Sequence, residues 1–304
     1  MKLLRVFVIF SVCCYTYLEA STKHIVLIAG KPSHGPGEHE HRAGCLLFQK
    51  CLASVPGIDV SVYDQGWPQI EVNGVLTDND QALSDADAII IYSDGGVSHP
   101  MLQGHRLSVL DKLHKQGVGL GFIHYAVEPT RELGQSEMLS WIGGAFEVNW
   151  SVNPVWKANY IQLPVHEVTR GVHPFSQLDE WYFNMRFRNN MEGVTPLLSA
   201  VPPVSTMKRK DGLHEGNPSV RKQVQNGLPQ HMMWVSESQN GARGFGFTGG
   251  HYHKGWANDD KRKLVLNAIV WIAKVPVPEQ GIESHLSSID LETNLDAKVK
   301  KVTK

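Results

Sequence analysis

Four apolar runs in this chain end in glycine-rich segments that carry histidine, and those segments define the chemistry open to it. Gly119-Leu120-Gly121-Phe122-Ile123 stops on His124, and Tyr125 follows. Ile25-Val26-Leu27-Ile28-Ala29 runs into Gly30-Lys31-Pro32-Ser33-His34-Gly35-Pro36-Gly37. Ala88-Ile89-Ile90-Ile91-Tyr92 runs into Ser93-Asp94-Gly95-Gly96-Val97-Ser98-His99, and Gly244 to Thr248 runs into Gly249-Gly250-His251-Tyr252-His253. Imidazole titrates near neutral pH and is a common metal ligand, so it can move protons or hold a cation. Runs of this length read as buried parallel strands. If they are neighbours, the histidines converge on the carboxyl edge of one sheet, where open α/β sheets bind ligands.

The loop after the first run holds His34, Glu38, His39, Glu40 and His41. Its Gly-Pro-Gly turn precedes a predicted helix start, whose free N–H groups can hold an anion or a sugar hydroxyl. Histidine and glutamate there can ligate a divalent metal or serve as acid and base. His34 is the main candidate. His39 and His41 rank lower, because residues two apart on a helix do not share a face. His251 and His253 face the same way in an extended segment, and with His34 they form a candidate set for a metal such as zinc. The blander alternative is a turn that leaves one of the pair exposed. Asp179-Glu180 is an adjacent acidic pair followed by Trp181 and Tyr182. A carboxylate beside aromatic faces suits a sugar site, with Glu180 as acid or base, although aromatic clusters are more often core. Arg186 is a structural partner for Glu180.

The elements that must position these groups follow in order. A strand at His24–Ala29 leads through a long loop to a helix over about 38–54. A second strand spans about Asp59–Tyr63 and a third Ala88–Tyr92. A helix over Leu102–Gln116 stops at Gly117. The fourth strand is Val118–Ile123. Strands alternating with helices predict a doubly wound, mostly parallel sheet with helices on both faces. Between about 147 and 200 short alternating runs predict added antiparallel strands. Residues 208–227 are polar and predict a surface loop. Two more core strands, 232–237 and 243–247, precede a last helix over Asp259–Lys274 with one apolar face. After Pro276 the chain is polar, so 277–304 is expected to be a loosely ordered tail.

With a formal net charge of −1, the chain has no broad basic surface for nucleic acid. Lys2 and Arg5 precede an apolar run from Val6 to Leu18, which is signal-peptide-like and too short to span a membrane as a helix. Residues 1–20 are therefore read as a leader and the protein as exported, with no membrane span in the mature chain. The uncleaved alternative is an anchor. Beyond the leader, Cys45 and Cys51 sit six apart on one predicted helix. They point to different faces, which predicts two buried thiols rather than a disulfide. There is no Walker loop and no Gly-x-Ser-x-Gly elbow, no Gly-x-Gly-x-x-Gly directly follows the first strand, and His124 stands where a nucleophilic Cys or Ser would sit on the fourth-strand elbow.

Several stretches together resemble one family. They are Ser33 to Gly44, Asp94-Gly95-Gly96, His124-Tyr125-Ala126-Val127-Glu128, Val152-Asn153-Pro154, Asp179-Glu180-Trp181-Tyr182, and Gly241 to His253 leading into Trp256. The set resembles the trehalose-utilisation, ThuA-like family, in the exported form common in planctomycete-type bacteria, over about residues 24–275. The resemblance implies a flavodoxin-like, class I glutamine amidotransferase-like fold for 21–276, without the amidotransferase cysteine. It implies sugar metabolism, notably of trehalose and keto-sugars. Catalytic candidates on the matched stretches are His124, Glu180 and His34. Substrate-binding candidates are Asp94, Gly95, Tyr125, Trp181 and Tyr182. One departure is Val165-His166-Glu167-Val168-Thr169, where the family more often has His-Pro-Ile-Thr. With Glu167 in place of proline, no fixed turn is expected there. The expected function is an exported enzyme that hydrolyses, eliminates or isomerises a keto-sugar or disaccharide, with a divalent metal such as zinc as a candidate aid. The alternative is a non-catalytic carbohydrate-binding protein on the same scaffold. The oligomeric state stays open, a homo-oligomer included.

Overall fold

Ile25–Ala29 and Ala88–Tyr92 are apolar at every position because both faces of the strands they form are covered. The computed structural model describes residues 21–299; the leader expected at 1–20 and the last tail residues, 300–304, lie outside the described residues. The central sheet has seven strands: β1 (Lys23–Ala29), β2 (Ile58–Tyr63), β3 (Ala88–Tyr92), β4 (Gly119–Ile123), β5 (Val194–Ala200), β6 (Gln230–Glu237) and β7 (Arg243–Phe247). Their order is β5-β6-β7-β4-β3-β1-β2. The strands β7, β4, β3, β1 and β2 are parallel neighbours, and β6 and β5 extend the sheet antiparallel. The parallel part has the flavodoxin strand order.

Helices cover both faces. Ile25, Leu27 and Ala29 of β1 pack with α1 (His41–Leu52) and α5 (Asp259–Ile272). Val26 and Ile28, pointing the other way, pack with α2 (Arg106–Lys115) and α3 (Gln135–Trp141). This is the period-two alternation of a strand. Cys45 and Cys51 are buried free thiols. Among the described residues no helix is long and apolar enough to cross a membrane. The added strands form small antiparallel sheets, of which Val155–Tyr160 with Phe175–Glu180 matters most for the site.

Several elements differ from expectation. Residues 208–227 are not all loop, since α4 spans Pro218–Gln225. Asn217 caps it by accepting from the N–H of Ser219 and Val220, Pro218 begins it, and Val220 and Val224 bury one face. Residues 69–78 form a hairpin on an Asn73-Gly74 turn with both residues left-handed, a pattern that marks hairpins in sequence. The 165–169 segment is a fixed turn after all. His166 Nδ1 accepts from the N–H of Val168, and the Thr169 hydroxyl accepts from that of His166, so side chains replace the missing proline.

The tail is held against the domain as far as Lys298. Val277 and Ile282 are buried. Lys298 donates to Glu40 at 3.2 Å and to the carbonyls of Glu38 and His39 at 2.5 and 3.1 Å, and Asp296 N–H donates to Glu40 at 2.8 Å. A polar composition did not betray this because a few scattered apolar residues, Val277, Ile282, Leu286 and Leu291, reach the core while the end of the tail is held by ionic contacts. α1 starts at His41, not near 38. Glu38 and Glu40 instead bond back to the N–H groups of Gly35 (3.1 Å) and Gly37 (2.8 Å), and His39 adopts a left-handed φ of 46°.

Candidate active site

The loops after β1, β3, β4 and β7 meet at the carboxyl edge of the sheet. The β1 and β7 loops pair with each other: His39 N–H donates to His251 O at 2.9 Å and His253 N–H to Gly37 O at 2.9 Å, about a Glu38–Tyr252 bridge. β4 ends at Ile123 and the chain turns sharply, with His124 at a φ of 59°, which fixes its ring at the strand's end. Asp179 holds the β7 loop from below, accepting from the N–H of Gly250 and His251 at 2.9 and 3.0 Å and from Lys261 at 2.6 Å.

His39 is the hub of the result. Its Nδ1 lies 2.6 Å from Asp94 Oδ1, and its Nε2 lies 3.0 Å from His251 Nδ1 and 3.1 Å from His124 Nε2. His124 Nδ1 lies 2.8 Å from the carbonyl oxygen of Thr248. Glu180 Oε2 lies 3.2 Å from His251 Nδ1 and 3.5 Å from His124 Nε2. The Tyr182 hydroxyl is 3.3 Å from Glu180 Oε2 and 3.4 Å from His124 Nε2. One atom each of His39, His124, His251 and Glu180 lies within 4.8 Å of the others, a spread that a cation can bridge; His34, His39 and Asp94 form a second such set.

Burial pushes the His124 ring well below the usual imidazole range, and His39 and His251 add to the shift. Burial likewise opposes a charge on His251, but the hydrogen bond and charge of Glu180 raise it. Burial disfavours the Asp94 carboxylate, yet the hydrogen bond from His39 and the neighbouring His41 hold it down at about 2. The His41 ring, buried, is pushed down to about 3. Burial also raises the Tyr182 phenol far above its usual value.

His124, Glu180, His251, Asp94 and Tyr182 thus lie together. His34 sits over them, stacked on His39 at 3.5 Å and exposed to solvent. Tyr125 lines the rim, its ring 6.1 Å from that of His39. Other candidates fall elsewhere. His253 is not part of the cluster: the chain enters a 3₁₀ turn at His253, so the two-residue spacing from His251 is not that of an extended segment, and the ring is buried beside Glu40, Lys261 and Lys298. Trp181 is wholly buried in the core against Tyr160 and Phe247, beside Lys261, because side chains alternate here and Glu180 and Tyr182 take the cleft side. Arg186 pairs with Glu147 at 2.5 Å rather than with Glu180, and lies over the Trp150 ring. His99 bonds to Ala126 O and the N–H of Met101, away from the cleft.

Gly95 is buried as well. A methyl group there would lie 2.3 Å from Tyr125 O and 2.6 Å from Glu128 O, so glycine is what lets the β3 and β4 loops touch. Gly95→Ala is expected to cost about 1–3 kcal/mol of stability, as overpacking does, in urea unfolding. An unchanged midpoint would show that the loops can part freely.

Sequence reasoning ranked His39 below His34, because the two-apart argument assumed a helix that begins only at His41. It passed over Glu128 and His214, which pair at 2.9 Å across the rim. Glu128 stood in the matched stretch; His214 had no local signal.

A flavodoxin-ordered parallel sheet with an elbow at the end of β4 defines a class I glutamine amidotransferase-like fold, here with histidine in place of the cysteine. The chain belongs to the ThuA family: the family model described as trehalose utilisation matches residues 26–272. A ThuA-like protein from Bacteroides uniformis superposes with a TM-score of 0.56 at 16% identity, covering 85% of this chain and 94% of its own. One from Parabacteroides merdae gives 0.55 at 15% identity, covering 89% and 99%. These likenesses speak for the fold. No curated protein matches the chain.

Proposed function

We propose that the protein is an exported enzyme acting on a carbohydrate, a keto-sugar or disaccharide, with the histidine–carboxylate cluster as its reaction centre. The carrying observation is the graded exposure of that cluster. His124 and His39 are buried at its floor, while His251, Glu180, Asp94 and His34 have side chains 9, 16, 24 and 40% exposed toward its mouth. Rim groups can meet a substrate hydroxyl or carbonyl and move its proton, and the buried rings set their charge. The family's description, trehalose utilisation, supports a sugar as the substrate class. Tyr125, half-buried at the rim, supplies a face and a hydroxyl suited to a sugar ring, with the buried Tyr182 behind it.

The test is turnover of a panel of keto-sugars and disaccharides by purified protein. Glu180→Gln and His124→Ala are expected to lower kcat by about 100- to 10,000-fold while leaving sugar binding in place. Sugar binding without turnover in the unsubstituted protein would instead mark a non-catalytic binder.

A further inference from the structure

The hydrogen positions in the cluster leave nitrogen lone pairs facing one another. Asp94 only accepts hydrogen bonds when ionised, so the 2.6 Å contact requires hydrogen on His39 Nδ1. A backbone carbonyl also only accepts, so the 2.8 Å contact with Thr248 requires hydrogen on His124 Nδ1. In neutral rings both Nε2 atoms are then bare. They face each other at 3.1 Å, lone pair to lone pair, in a place closed to water. His251 Nδ1 joins them at 3.0 Å from His39 Nε2, and Glu180 Oε2 lies 3.2 Å from that nitrogen and 3.5 Å from His124 Nε2. Converging lone pairs repel unless something positive lies between them.

We propose that His39, His124, His251 and Glu180 bind a divalent transition-metal ion of the zinc type. Ligands about 2.0–2.1 Å from a tetrahedral zinc ion stand about 3.3–3.4 Å apart. Four of the six separations among these atoms, 3.0, 3.1, 3.2 and 3.5 Å, bracket that value, and all six lie within 4.8 Å. Three imidazoles and one carboxylate suit zinc, iron or cobalt rather than magnesium or calcium. The surroundings also match, since metal-bound histidines give their other N–H to a carboxylate or carbonyl, as His39 does to Asp94 and His124 to Thr248. His251 Nε2 faces Glu38 at 3.8 Å. The ligands come from the β1, β4 and β7 loops and from the end of strand Phe175–Glu180, so the ion also ties the edge of the sheet together. His253, and His34 stacked above, lie outside the set.

The inference rests on the proposed function for what the ion would do, polarising a sugar oxygen, but not for its presence. With Glu180 as a ligand, His34 is the rim histidine left to carry a proton.

Purified full chain, stripped by a chelator and reloaded with zinc, is expected to bind about one ion per chain and to melt at a higher temperature when loaded. Cobalt in its place is expected to show the visible bands of a tetrahedral centre. Asp94→Asn, which keeps the ligands but disturbs the His39 tautomer, is expected to weaken zinc binding by about 10- to 100-fold. His39→Ala is expected to abolish it, and His34→Ala to leave it unchanged. No stoichiometric binding of zinc, iron or cobalt, or equal affinity in His39→Ala with native circular dichroism, would overturn the site. Sugar turnover that survives complete metal removal would sink the ion's part in the chemistry while keeping the enzyme. A tight metal site with no turnover on any sugar would do the reverse.

Discussion

Lowering the pH from 6.5 to 4 is expected to remove most of the folding stability of this protein. His99, His114 and His253 are buried, and burial pushes each ring down to about 4. In the unfolded chain they titrate near 6.5. Their contribution is therefore complete above 6.5 and is lost as the pH falls toward 4, because the unfolded chain takes up protons that the folded chain refuses. A depression of this size is worth about 3 kcal/mol per ring, so three rings approach the 5–15 kcal/mol that holds a typical domain together. His99 and His114 gain some of this back through hydrogen bonds to Ala126 O and Val118 O, which burial outweighs. Asp94, held at about 2, adds a separate loss in the window from 3.8 down to 2. Urea unfolding at pH 7, 6 and 5 checks this, with uptake of at least about three protons on unfolding near pH 5. Equal stability at pH 7 and pH 5 would mean that these rings open to water without cost.

The second large effect is expected from Lys261→Met, a loss of about 3–5 kcal/mol. Lys261 and Asp179 are both fully buried and 2.6 Å apart, with the ammonium 4.4 Å from the centre of the Trp256 ring. Removing the lysine strands a carboxylate among Trp181, Phe247 and Trp256, where water cannot reach it. The same carboxylate holds the N–H groups of Gly250 and His251, so the His251 ring should move and metal binding should weaken in parallel. Pairing Lys261→Met with Asp179→Asn should recover part of the loss, since no unpaired charge then remains. Chemical denaturation of the single and double variants measures both terms; a single-variant loss below about 1 kcal/mol would refute this account of the pair.

The sheet was legible because its signals are local. An unbroken apolar run such as Ala88–Tyr92 needs cover on both faces wherever it lies, and the glycines and histidines after it follow in the same chain. The fixed turn at His166 and helix α4 were hard to read because side-chain caps make the turn and start the helix, whose apolar face is only Val220 and Val224. The hairpin over 69–78 is the opposite case, since its Asn73-Gly74 turn is a local signal readable in sequence.

The sequence by itself determined the parallel sheet, the four loops at its carboxyl edge, and the histidine that replaces a nucleophile at the β4 elbow. It also brought His34, His124, Glu180 and His251 forward as candidates. The tertiary structure alone decided which of these touch. It chose His39 over His253, sent Trp181 into the core, and set Asp94 behind His39. The reason is distance along the chain: His39 meets His124 across 85 positions and His251 across 212. Local pattern says which side chains a segment offers. Whether two nitrogens come within 3.1 Å depends on loop paths, left-handed turns at His39 and His124, and the buried Asp179–Lys261 anchor, and none of these is written in any one stretch.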